Sequence, residues 1–114
     1  MDSKPKTIFC DIDGVLFKHW NEGLDIQISR PSLIIRTLSK LNEWDAKGYN
    51  IILTTGRRES SRKVTEVILK RHGIFYDKLI MGIGGGDRIL INDRKPDSKI
   101  DTAYAINLDR KSVV

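Results

Sequence analysis

Cysteine, long apolar runs and low-complexity sequence are all scarce in this 114-residue chain, and each shortage closes off a class of protein. A single cysteine, Cys10, excludes an internal disulfide, so stability must come from a packed core. Apolar runs reach a handful of residues, far short of the roughly 20 that span a bilayer, and Met1-Asp2-Ser3-Lys4-Pro5-Lys6 lacks the apolar segment of a signal peptide. We therefore expect a cytoplasmic protein with no membrane contact. There is no repeat, linker or low-complexity tract, and residues 1–114 read as one domain. No serine or cysteine nucleophile motif is present, and Gly84-Gly85-Gly86 is too short for a G-x4-G-K-S/T nucleotide loop.

What is present describes a globule: 39% hydrophobic and 31% charged residues, with a net charge of +5. Basic residues gather at Arg57, Arg58, Arg62, Lys63, Lys70 and Arg71. Such a cluster suits an anionic ligand or a solvated helix surface.

Hydrophobic periodicity sets the elements. Residues 7–11 read as a first strand, and the stretch to about 29 as irregular chain or a short hairpin, with Phe17, Trp20, Ile26 and Ile28 either bordering a pocket or packing on the core. Pro31 suits the first turn of a helix that carries Ile34, Leu38, Leu41 and Trp44 at helical spacing and stops at Gly48. Residues 49–54 form a buried strand, and 59–72 an amphipathic helix with Gly73 just past its end. Residues 78–81, 88–91 and 103–108 complete a mostly parallel five-stranded sheet of a three-layer α/β/α, Rossmann-like fold.

On that topology Asp11 and Asp13 follow strand one, Thr54, Thr55 and Arg57 follow strand two, and Asn92, Asp93 and Asp97 follow strand four. All three groups fall on one sheet edge, where the ligand site of an open α/β sheet lies. Converging carboxylates can hold a hard cation such as Mg2+. The hydroxyl and amides of Thr55-Gly56, opening a helix, offer phosphate its donors and a positive dipole end.

The segments Asp11-x-Asp13-Gly14-Val15, Thr54-Thr55-Gly56-Arg57 and Ile91-Asn92-Asp93-x3-Asp97 resemble motifs one, two and four of the haloacid dehalogenase (HAD) superfamily of phosphotransferases. The resemblance implies a Mg2+-dependent phosphatase in which Asp11 is the nucleophile and forms an aspartyl phosphate. Asp13 would be the general acid and base, and Thr55 and Gly56 would bind the phosphoryl group. Asp11, Asp13, Asp93 and Asp97 would hold the metal. Arg57, in a T-G-R arrangement similar to that of polynucleotide 3′-phosphatase domains and small sugar phosphatases, would reach the substrate. Ile83 stands where the family places a lysine, and Arg88 is the first candidate to replace its charge, ahead of Lys78 and Lys95. Asn92 replaces the first aspartate of a common D-D pair and leaves the site one charge short.

The stretches between Asp13 and Thr55 and between Thr55 and Arg88 are too short for a cap domain, so the family pattern implies an open site, with a second copy of the chain as a candidate lid. Residues 89–96 and 102–108 resemble small bacterial phosphatases of capsule and cell-surface polysaccharide biosynthesis, which points to a sugar phosphate substrate. The alternatives are a nucleic-acid 3′-phosphatase, favoured by the basic second helix, and a catalytically weak HAD-like binding module. A receiver domain is disfavoured because its phosphoacceptor follows strand three, not strand one.

Overall fold

Runs of apolar and β-branched residues make the strands, and a glycine ends each helix. The computed structural model describes residues 4–18 and 33–108. Its elements are β1 (Thr7–Asp11), α1 (Ile35–Ala46), β2 (Asn50–Thr54), a 3-10 turn at Glu59–Ser61, α2 (Arg62–Arg71) and β3 (Lys78–Ile80). The strands form one parallel sheet in the order β1-β2-β3. Register runs from Thr7 opposite Asn50 to Asp11 opposite Thr54, and from Ile52 opposite Lys78 to Thr54 opposite Ile80. Parallel neighbours require crossovers, and α1 and α2 lie in the two connections.

β2 is central and the most buried strand: Ile51 and Leu53 are fully enclosed, as are Ile12, Leu16 and Phe17 from the turn after β1 and Leu69 from α2. Leu41 of α1 joins them, with Leu38, Trp44 and Val64 packed at the margin. Both helices end in the same way. Gly48 and Gly73 take φ of +79° and +70°, and the bonds Gly48 N–H to Asp45, Tyr49 N–H to Trp44, Gly73 N–H to Lys70 and Ile74 N–H to Leu69 close two Schellman caps.

Two helix starts and the sheet differ from the sequence expectation. The first helix begins at Ile35, after the buried Ile34, and Pro31 lies outside the described residues, as do Trp20, Ile26 and Ile28. The second helix begins at Arg62, because Glu59–Ser61 winds more tightly as a 3-10 turn. Phe17 packs in the core, its ring edge-on to that of His72 at 5.1 Å, and His72 is accordingly half-buried.

The largest change concerns the sheet. Among the described residues there are three strands and not five: 88–91 and 103–108 run as irregular, exposed chain. Strands are stabilised by a paired ladder and a covered face, and these segments have neither. Instead the chain around them closes on itself, through Asn92 Nδ2 donating to Thr102 Oγ1 at 2.7 Å and an Arg94–Asp101 ion pair. The result is a mixed α/β protein with a small parallel sheet, consistent with a Rossmann-like fold. Among the described residues no helix is long and apolar enough to cross a membrane.

Candidate active site

The carboxyl ends of β1 and β2 bring the first two predicted groups together. Parallel register sets Asp11 opposite Thr54, and the Thr54 hydroxyl donates to Asp11 Oδ1 at 2.5 Å. Among the described residues the other carboxylate oxygen of Asp11 accepts no hydrogen bond, so one oxygen is anchored and one is open. The sequence sets Thr54 beside Thr55 and Arg57 without marking a role for it; register, once β1 and β2 are paired, reveals its contact with Asp11.

After Asp11 the chain leaves the ladder and tightens into a turn. Ile12 N–H still bonds Thr54, while Leu16 and Phe17 N–H return to the Ile12 carbonyl at 3.0 and 3.1 Å. Gly14, buried at φ +86°, makes that reversal in a backbone region that costs L-residues dearly. The turn aims Asp13 across to the loop after β2. There Arg57 Nη2 donates to Asp13 Oδ1 at 2.8 Å and Arg57 Nε to Oδ2 at 3.2 Å, with the Thr55 hydroxyl on Oδ2 at 3.0 Å. Arg57 is 3% exposed and Asp13 27%.

Thr55 is therefore used within the protein: its hydroxyl proton goes to Asp13, its oxygen accepts the Arg57 N–H at 3.1 Å, and its own N–H bonds Ile80. The helix expected to open at Gly56 starts only at Arg62, so its dipole does not point from the T-G-R turn. Gly56 answers a different need. The loop after β3 clamps this turn, with Gly82 N–H on Arg57 and Ile83 N–H on Thr55, and a Cβ on Gly56 would lie 3.0 Å from the Ile83 carbonyl oxygen.

The third predicted group stands apart. Asp93 and Asp97 are exposed in the irregular chain. Arg88, expected to replace the family lysine, instead caps its own glycine loop, donating from Nη1 to the Gly84 and Gly86 carbonyls. Lys78 and Lys95 are exposed. For Asp93, Asp97, Arg88 and Lys95 the reason is the same unformed fourth strand, since they can reach the sheet edge only if 88–91 pairs there; Lys78 instead opens β3, at its amino end.

Among the described residues no three acidic, histidine or cysteine side chains gather to hold a metal ion. Mg2+ demands a near-octahedral oxygen shell. It usually fills that shell with waters around one or two carboxylates; here Asp11 offers one open oxygen, whereas both oxygens of Asp13 already accept from Arg57 and Thr55. Beneath the pair, burial pushes the Cys10 thiol up to about 12, with the Asp11 charge adding to the shift. That thiol is an inert core group.

Fold and site together define a small mixed α/β protein, consistent with a Rossmann-like fold, with an acidic pair at the carboxyl edge of its parallel sheet. The chain is similar to a chain of a Pnkp1/Rnl/Hen1 complex at 29% identity and a TM-score of 0.61, over 76% of this chain and 31% of that one. It matches a chain of the Pnkp1/Rnl/Hen1 RNA repair complex at 29% identity and a TM-score of 0.61, over 74% and 28%. A protein from Vibrio cholerae, 20% identical, shares the fold with a TM-score of 0.57 over 76% of this chain and 79% of that one. The chain thus spans about a third of the repair-complex chains it matches. No family model and no curated protein matches it.

Proposed function

We propose that this chain is a HAD-type phosphomonoesterase that removes a terminal phosphate from a polynucleotide. The observation that carries this reading is the unequal anchoring of the two carboxylates. Asp11 has one oxygen tied to Thr54 and one open, the arrangement of a positioned nucleophile, whereas Asp13 is held on both oxygens beside it. The T-G-R resemblance, the basic second helix and the 29% identity to chains of an RNA repair complex support a nucleic-acid substrate over a sugar phosphate.

In this scheme the open Asp11 oxygen attacks phosphorus, an O–P bond forms, and the ester bond to the leaving hydroxyl oxygen breaks. Asp13, an ion-paired carboxylate in the free protein, first takes the proton of the monoanionic phosphate ester and passes it to that oxygen; it then takes a proton from the water that attacks the aspartyl phosphate and yields it to the departing inorganic phosphate, which restores both Asp11 and Asp13. Arg57 and Thr55 position Asp13 for both transfers. No step here runs through a metal ion.

Phosphate release is to be measured on 3′-phosphorylated oligonucleotides, sugar phosphates and nucleotides, with wild type and Asp11→Asn. We expect release from oligonucleotides by the wild type alone. Release from sugar phosphates only overturns the polynucleotide assignment; none from any substrate, or equal release by the variant, overturns the phosphatase. Adding EDTA decides the role of Mg2+. Loss of activity in EDTA, mirrored by Asp93→Asn, assigns Asp93 and Asp97 to a metal site that closes during turnover; unchanged activity assigns the chemistry to the side chains described above.

A further inference from the structure

We propose that the outer face of α2 and the loop that follows it form a track for a single-stranded polynucleotide, extending from the acidic pair to Phe75. This inference rests on the phosphomonoesterase reading and specifies how its substrate is gripped beyond the reacting phosphate.

The charge distribution comes first. Between residues 57 and 78 there are seven lysines and arginines against three acids, so this short stretch holds most of the net charge of +5. Part of that charge is internally matched: Arg57 pairs with Asp13, and Arg62 with Glu59 and Glu66. Lys63, Lys70, Arg71 and Lys78 are exposed, and none of them makes an ion pair among the described residues.

Helical geometry then arranges them. Thr65, Ile68 and Leu69 face the core, which leaves Lys63, Val67 and Lys70 at i, i+4 and i+7 as one outward stripe, with Arg71 beside it. The stripe starts next to the T-G-R turn, because the Arg62 guanidinium bonds the Leu79 carbonyl at 3.0 Å and Gly82 N–H bonds Arg57. At its other end Lys70 borders a shallow groove lined by Glu66, Gly73, Ile74, Phe75 and Tyr76. Phe75 is 64% exposed there, and Val67 on the stripe is 52% exposed.

A row of lysines and arginine ending in an exposed aromatic ring matches the two demands of a nucleic-acid single strand: cations for its phosphates and a flat face for a base. The ten residues of α2 rise about 15 Å, which corresponds to about four nucleotides at roughly 3.4 Å each. The track therefore fits a strand whose phosphorylated end lies at Asp11 and whose fourth or fifth base lies on Phe75. Charge complementarity commits the surface to a polyanion, and the exposed ring favours bases over a uniform anionic surface.

The test compares wild type with Lys63→Glu/Lys70→Glu/Arg71→Glu and with Phe75→Ala, all at exposed positions outside the acidic pair. Phosphate release is measured from p-nitrophenyl phosphate and from 3′-phosphorylated RNA of two, four and eight nucleotides. We expect kcat/KM to rise from two to about four nucleotides and then level. The triple variant should lose that rise, Phe75→Ala should lose about tenfold on the longer strands, and both should keep wild-type activity on p-nitrophenyl phosphate. Binding of an unphosphorylated octanucleotide by Asp11→Asn should fall with a log–log salt slope of about −2, as three cations neutralising a single strand require. Length-independent kcat/KM, or a salt slope that the added charge changes leave intact, overturns the track. If no substrate releases phosphate, the phosphatase reading fails, and octanucleotide binding decides the track by itself: a steep slope lost on adding the charge changes supports it, and absent binding overturns it.

Discussion

Ile51-Ile52-Leu53 and Ile89-Leu90-Ile91 are nearly the same tripeptide with opposite fates. In β2, Ile51 and Leu53 are fully buried between two parallel neighbours, whereas Ile89 is 85% and Ile91 92% exposed in unpaired chain. β-Propensity is alike in both, so the difference lies in partners: a strand is a property of a pairing and a covered face, not of a tripeptide. The contrast extends to chemistry. Asp11, Asp13, Thr54, Thr55 and Arg57, at the ends of β1 and β2, are tied together by hydrogen bonds between the two strand ends, while Asp93, at the end of the unpaired run, is exposed and outside them.

The largest expected effect tests the chemical side of that contrast. Asp11→Asn should lower phosphate release by at least about 10³-fold, the scale of losing a nucleophile, with an unchanged urea midpoint. Next, Leu53→Ala should cost about 2–5 kcal/mol in urea unfolding, a large part of the stability of a domain this size, while Ile91→Ala should stay within about 0.5 kcal/mol. A cost above about 2 kcal/mol at Ile91 would break the comparison, by showing that this run is packed in solution.

Arg57→Met should cost about 2 kcal/mol, less than the roughly 3–5 of a fully buried broken pair, because Asp13 keeps 27% exposure. Its activity should fall further than its stability predicts, since Asp13 loses its positioning partner. The smallest effect concerns Cys10. Its folded pKa of about 12 exceeds the ordinary 9.0, so the contribution to stability is complete below pH 9 and disappears as pH rises toward 12. Alkylation by iodoacetamide at pH 8 should accordingly be negligible in the native protein and rapid in urea; Cys10→Ser should remove the alkaline slope without altering activity.

Much of this molecule is legible in its amino-acid sequence. The glycines that stop α1 and α2, Gly48 and Gly73, the apolar β2 run and the spacing of Leu38, Leu41 and Trp44 each report local physics, and the structure agrees with them to within a few residues. The acidic pair was legible too, since alternation along β1 and a glycine just beyond Asp13 announce a strand that ends in a turn. Less legible was what Thr55 and Arg57 do. Both were expected to face a substrate, and both instead face Asp13, a choice made by the register of β1 against β2 and by the β3 loop clamped on Gly56.

The amino-acid sequence by itself determined the elements whose stability is local: two helices with their glycine caps and the buried strand β2. It also determined which residues could do chemistry, because Asp11-x-Asp13-Gly14 and Thr54-Thr55-Gly56-Arg57 are contiguous signals. Only the tertiary structure decided which of two similar apolar runs became a strand, and thereby which carboxylates share a site. The physical reason is that ladder pairing and burial are non-local: Asp11 meets Thr54 across 43 residues of sequence, whereas Asp93 follows a run that has gained no neighbour.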